Sequence, residues 1–176
     1  MVTNDNDIIR AMREDKERGF QMLVKSCKEP LYCHIRRLVV NHDDAQDATQ
    51  ETFIRIFRSF GQYDETRSPL RVWMFRIATN EALRLIERRR SITMPIEKVF
   101  DAEADSYINY GDLEAVRLQK AILSLPPKQQ LAFNLRYYDE MDYEEIAQIA
   151  DTTASSVKAS YHVAKEKIIK FMTSND

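Results

Sequence analysis

This chain has little that bends a backbone: 3 glycines and 5 prolines in 176 residues. Glycine and proline punctuate turns. Their scarcity, with long helical periodicities and no alternating apolar pattern, excludes a strand-rich fold and predicts an all-α protein of one large or two small domains. Cysteine is equally sparse. Cys27 and Cys33 form no paired C-x-x-C, and His34, His42 and His162 are scattered, so no metal set is expected. The two thiols read as small apolar residues on packed helices. No apolar run approaches the roughly 20 residues that span a bilayer, and the polar start MVTNDNDIIR is no signal peptide. The expectation is a soluble, cytoplasmic protein. A Gly-rich phosphate loop, a Ser/His/Asp order and an H-E-x-x-H are also missing, so neither enzyme activity nor a cofactor is expected.

Excess charge of either sign is missing too, since the net charge is −2. The balance is uneven along the chain. Residues 1–100 hold 18 Lys and Arg against 15 Asp and Glu, whereas residues 101–176 hold 8 against 13. Seven arginines and two glutamates fall between Arg67 and Arg90. A protein that binds DNA unaided is usually more basic, because neutralised phosphates dominate affinity. Basic charge confined to one segment suggests that a partner supplies the rest.

What is present is clearest from Asp142 to Lys170. Asp142 can cap a helix, with Glu145 three residues on to complete a capping box. Ile146, Ala147, Ile149 and Ala150 give that helix an apolar side. Asp151 falls where a left-handed residue is needed, and Thr153 is placed to cap a second helix. Val157, Tyr161, Ala164, Ile168 and Phe171 form its buried stripe. Ser155, Ser156, Lys158, Ala159 and His162 are left outward near its start, small or hydrogen-bonding residues that suit a major groove. Helix-turn-helix is the reading, with a plain helical hairpin as the bland alternative.

Upstream, helices are expected over about Asp5–Met12, Asp15–Lys28 and Pro30–Val40. A fourth follows Asn41, with Asp43 and Asp44 in its first turn and a stripe of Ala45, Ala48, Phe53, Ile56, Phe57 and Phe60. After a polar loop, Gln62 to Arg67, Ser68 as cap and Pro69 at the first position open a fifth helix reaching Arg90. Its apolar side is read as Leu70, Trp73, Met74 and Ile77, extended by Phe75, Ala82 and Ile86. Arg76, Asn80, Arg84 and Arg88 recur at i+4 on another face, with Arg71 and Arg89-Arg90 at the ends. Arg and Asn along one face match phosphate and base-edge contact; the alternative is a solvated amphipathic face. On the fourth helix Asp47, Gln50, Glu51, Ile54 and Arg58 lie opposite the stripe, a mixed acidic and apolar strip suited to a protein partner. Residues 91–111 lose the helical pattern, with a Pro, a Gly and more acids than their single Lys, and read as a linker. Helices resume over Asp112–Leu125 and Lys128–Tyr138.

Three stretches, DAQDATQETFIRIF, SPLRVWMFRIATNEALRLIERRR and LPPKQQLAFNLRYYDEMDYEEIAQIA…SSVKASYHVAKEKI, occur in that order. Together they resemble the extracytoplasmic-function group of bacterial RNA polymerase sigma factors. The resemblance implies a region 2-like bundle over 1–92, a linker over 93–111 and a region 4-like helix-turn-helix domain over 112–176. It implies that Asp47, Gln50, Glu51 and Ile54 dock on the β′ clamp coiled coil of core RNA polymerase, with the β subunit also a partner. The loop Gln62–Ser68 would capture a flipped base of the −10 element. Arg71, Arg76, Asn80, Arg84 and Arg88 would contact and help melt that element. Ser155, Ser156, Lys158, Ala159, His162 and Lys165 would read the −35 major groove. Acids of the linker (Asp101, Glu103, Asp105) would mimic a phosphate backbone in the polymerase's RNA path. An anti-sigma factor is a further expected partner. The alternative is a stand-alone helix-turn-helix regulator, dimeric to read paired half-sites, which needs neither the Arg67–Arg90 segment nor the Asp47–Glu51 strip.

Overall fold

The computed structural model describes residues 4–90 and 111–174, and every regular element among them is helical. The chain divides into two compact units, Met1–Pro95 and Ile96–Asp176. The expected linker lies outside the described residues apart from Gly111, and Asp101, Glu103 and Asp105 with it.

The first unit holds α1 (Asp5–Glu14), α2 (Lys16–Val39), α3 (His42–Ser59) and α4 (Leu70–Arg90), with a 3-10 turn over Phe60–Gln62. One residue separates α1 from α2. The Asp15 amide donates to the Ala11 carbonyl at 2.8 Å, ending α1, while its carboxylate accepts from the Arg18 amide at 3.1 Å to start α2. The two helices then cross closely at Gly19, where a Cβ would stand 2.2 Å from the Met12 backbone nitrogen. Only glycine fits there.

Three expectations fail in this unit. No break occurs at Pro30, which sits inside α2. A proline removes one N–H and crowds the preceding turn. Pro30 is exposed, however, so its ring and the turn it disturbs face solvent, while Leu23, Leu31 and Ile35 carry a buried stripe past it. Nor does Ser68 cap α4. The helix starts at Leu70 with the Pro69 carbonyl accepting from the Trp73 amide at 3.1 Å, and the Ser68 hydroxyl donates to that same carbonyl at 3.3 Å. The buried side of α4 also differs from the expected one. Val72, Ala78 and Thr79 are buried with Leu70, Met74, Phe75 and Ala82, whereas Trp73, Ile77 and Ile86 are only half-buried. Both α2 and α3 pack on this helix, so two sides are covered and no single amphipathic stripe describes it.

The second unit holds α5 (Leu113–Leu123), α6 (Pro127–Tyr137), α7 (Tyr143–Ala150) and α8 (Ala154–Thr173). Here local chemistry decides. The Glu145 amide donates to Asp142 at 2.8 Å and the Asp142 amide to Glu145 at 2.9 Å, a complete capping box. Asp151 is left-handed (φ 52°, ψ 54°), and the Thr153 hydroxyl accepts from the Ser156 amide at 3.2 Å. Val157, Ala164 and Ile168 are buried as expected, but Phe171 is exposed. Met172 packs in its place, beside Leu118 against a core of Ala121, Ile122, Leu125 and Phe133. At that end α5 supplies the core and meets α8 on the Met172 side. Arg117 of α5 donates to the carbonyls of Phe171 and Ser174, closing the end of α8.

Candidate nucleic-acid interface

On α3 the helical period buries Ala45, Ala48, Thr49, Thr52 and Ile56 and turns Asp47, Gln50, Glu51 and Ile54 outward. The buried hydroxyls are satisfied within the helix: Thr49 donates to the Ala45 carbonyl at 2.6 Å and Thr52 to Ala48 at 2.7 Å. Ile54 is 40% exposed beside the carboxylates, an apolar spot ringed by charge.

On α4 the row Arg76, Asn80, Arg84, Arg88 is exposed along its length, and so is Arg71, whose guanidinium lies 5.4 Å from the centre of the Phe75 ring. The faces of α3 and α4 meet in an open cleft of about 440 Å³. Glu51, Arg55, Arg58, Ser59 and Gln62 line one side, and Ile77, Asn80, Glu81 and Arg84 the other. Thus the structure brings Glu51 of the acidic strip together with Asn80 and Arg84 of the basic row. Asp47, Ile54 and Arg76 do not line that cleft.

Glu81 is the residue that sequence reasoning missed. Only 5% of its side chain is exposed, and it pairs with Arg55 of α3 and with Arg84 of α4, the latter at 3.0 Å. The signal was available in the i, i+3 spacing of Glu81 and Arg84. Asp44 and Arg89 form a second tie between these helices. Burial raises the Asp44 carboxyl above its ordinary range, against the opposing pull of Arg89.

The loop between the 3-10 turn and α4 is held from within. The buried Tyr63 hydroxyl donates to the Ser68 carbonyl at 3.0 Å, and the Tyr63 ring lies 5.0 Å from that of the half-buried Trp73, tilted by 44°. Burial pushes the Tyr63 phenol up. Asp64 accepts from the Thr66 hydroxyl at 2.7 Å and from its amide at 2.9 Å, which holds its carboxyl below the usual range. Glu65 pairs with Arg13 of α1 at 3.4 Å.

In the second unit, Ser155, Ser156, Lys158, Ala159, His162 and Lys165 are all exposed on α8. Lys165 lies 5.8 Å from the centre of the Tyr161 ring. The first three turns offer small side chains, hydroxyls, one ammonium and one imidazole, with no ion pair to the last two among the described residues. A helix end of this composition can approach base edges closely.

No described helix is long and apolar enough to cross a membrane. Residues 23–92 match Sigma-70 region 2 and residues 115–168 match Sigma-70, region 4. The chain is 31% identical over 156 residues to the ECF RNA polymerase sigma factor SigE of Mycolicibacterium smegmatis, with 85% of this chain and 60% of that protein covered. It is 26% identical over 175 residues to SigW of Bacillus subtilis (92% and 93% covered) and 28% identical over 186 residues to the sigma-H factor of Pseudomonas aeruginosa (97% and 95%). Among solved structures it shares its fold with CnrH in complex with the cytosolic domain of CnrY, at a TM-score of 0.76, 20% identity and 98% and 99% coverage. The sigma factor RpoE of Bartonella quintana, in complex with the anti-sigma factor NepR, gives 0.73 at 22% identity, with 89% and 98% covered. Two sigma-70 regions in order, together matching most of the chain, place it in the sigma-70 family of RNA polymerase sigma factors, of the extracytoplasmic-function type.

Proposed function

We propose that this sigma factor binds core RNA polymerase through the outward face of α3 and reads promoter DNA at two separate places. Residues 1–92 form the polymerase- and −10-binding part and residues 112–176 the −35-binding part. Asp47, Gln50, Glu51 and Ile54 dock on the β′ clamp coiled coil. Arg71, Arg76, Asn80, Arg84 and Arg88 contact the −10 element, and the Gln62–Ser68 loop takes up an unstacked base. Ser155, Ser156, Lys158, Ala159, His162 and Lys165 face the −35 major groove. The β subunit and an anti-sigma factor complete the partners, and the protein works in the cytoplasm without catalysing a reaction itself.

The observation that carries this reading is the exposed Arg76–Asn80–Arg84–Arg88 row on α4. A stand-alone helix-turn-helix regulator has no use for it. Near-neutral net charge supports dependence on a partner, because a protein that neutralises few phosphates binds DNA weakly alone. Run-off transcription with purified core polymerase, with and without this protein, tests the reading. Promoter-dependent transcripts are expected only when both are present. Tight sequence-specific binding by the free protein at physiological salt, with no effect on core polymerase, would favour the stand-alone regulator. Asp47→Ala and Glu51→Lys should weaken binding to core polymerase and leave the fold intact; unchanged affinity in both removes them from the interface.

A further inference from the structure

We propose that Glu81 is a positioning residue for promoter discrimination: its buried carboxylate fixes the Arg84 guanidinium in the α3–α4 cleft, with Arg55 as the second tether. This rests on the reading of the α4 row as the −10-facing surface.

Glu81 stands one residue from Asn80 and three from Arg84, inside the most basic stretch of the chain. Its burial is the first clue, since an ionised carboxylate out of water needs partners. It has two, on different helices. A carboxylate offers about four acceptor positions, so both guanidinium groups can be held at once without competing. Arg55 and Arg84 keep about half of their side chains exposed (48% and 53%) while their tips meet at Glu81. Each therefore presents remaining N–H groups to the cleft from a fixed anchor. Asn80, Gln62 and Arg58 line the same cleft, and Arg58 has no ion pair among the described residues. Two tethered cations, one untethered cation and two amides around an open hollow, with Glu51 as the one other acid beside Glu81, leave a net positive lining that suits an anionic strand held in one register. A long arginine that is already ordered loses less freedom on binding, and ordering a free one costs about 0.5–1.5 kcal/mol.

A purely structural ion pair and a positioning residue differ in what their loss does. Removing the Glu81 charge frees Arg84 and leaves the cleft one unit more positive. Non-specific attraction to DNA should then rise as specific recognition falls. The measurement is binding of reconstituted holoenzyme to labelled fork-junction DNA carrying either the cognate or a scrambled −10 single strand, across a salt series. Glu81→Gln is expected to lower cognate-over-scrambled discrimination about tenfold, within what one reading side chain is worth. It should also steepen the salt dependence by about one phosphate equivalent. Glu81→Asp, with the charge kept on a shorter arm, should recover part of the discrimination. In an Arg84→Ala background, Glu81→Gln should change discrimination no further, because the two act as one unit.

Unchanged discrimination in a folded Glu81→Gln protein overturns the proposal. So does an equal loss on both DNAs with an unaltered salt slope, which marks a structural pair only. Should Glu81→Gln fail to fold, Arg55→Ala loosens the same tether from the other helix; discrimination should again fall, here with a shallower salt dependence because a cation is lost, and unchanged discrimination refutes the idea. If Arg84→Ala itself leaves discrimination intact, the reading of α4 falls and this inference with it. Loss in Arg84→Ala with none in Glu81→Gln defeats the inference alone.

Discussion

The two faces assigned to DNA are built differently. On α4 one member of the row is backed by an acid, Glu81 holding Arg84, and beside the row Asp44 of α3 holds Arg89. On α8, Ser155, Ser156, Lys158 and His162 stand on the first three turns without an ion pair among the described residues, on a helix whose start is fixed by Thr153 and Asp151. One face fixes a central side chain, Arg84, and the other fixes only its backbone. Long cations lose the most freedom on binding and gain most from a tether, whereas serine and alanine have little to lose. The contrast suits a surface that must hold a distorted strand on one side and a helix that enters an undistorted groove on the other.

The largest effect expected tests whether the units stand apart. Leu135 is fully buried in the second unit, and Leu135→Ala should cost about 2–5 kcal/mol there. Dependence on the −35 element should vanish while holoenzyme still binds a fork-junction probe lacking it. Loss of both activities would tie the two faces together. Next come the faces themselves. Arg76→Ala and Asn80→Ala should impair opening of duplex promoters and leave −35 preference unchanged. Ser156→Ala or His162→Ala should shift −35 preference by about 1–3 kcal/mol without affecting a pre-melted −10 bubble. Identical defects on duplex and pre-melted templates in all four variants would end the division of labour.

A smaller effect sharpens the claim that α8 is fixed through its backbone. Asp151 pays for a left-handed turn that glycine adopts freely, so Asp151→Gly should stabilise the second unit by about 0.5–1 kcal/mol, read as a rise in thermal midpoint. A drop would mean that the carboxylate has a role beyond the turn. The smallest concerns the loop before α4. The Asp64 carboxyl is depressed by its bonds to Thr66, so its contribution is present above the ordinary carboxyl range and disappears as pH falls through the lowered value. Amide exchange at Thr66 should quicken in Asp64→Ala at neutral pH. In the parent, protection relative to the intrinsic exchange rate at each pH should be lost only in acid, and equal protection in both proteins at neutral pH would show that the bond holds nothing.

How far the sequence could be read follows the same divide. Everything local about α7 and α8 was legible, because a capping box, a left-handed aspartate and a threonine cap each act within four residues. The first unit was less so. Pro30 suggested a break that the buried stripe of α2 overrides, and the side of α4 that is buried depends on two partner helices. Phe171 kept the right spacing for a core that α5 places on the Met172 side instead. The exposed rows themselves, Asp47 to Ile54 and Arg76 to Arg88, came from period alone and are outward as expected. Glu81 counted only as one of two glutamates in a basic segment, since nothing in one helix reveals that Arg55 reaches it from another.

Gly19 shows how far a single hydrogen atom can reach. In most helices glycine to alanine is a gain, worth roughly 0.5–1 kcal/mol. Here the added methyl would lever α1 away from α2, because the obstacle is the Met12 backbone and cannot rotate aside. Arg13 follows Met12 in the chain, and its partner is Glu65, in the loop assigned to the unstacked base. A substitution that strengthens the helix it sits in would thus slacken a recognition loop in which it has no contact of its own, and a screen for stabilising changes would misjudge this position in sign.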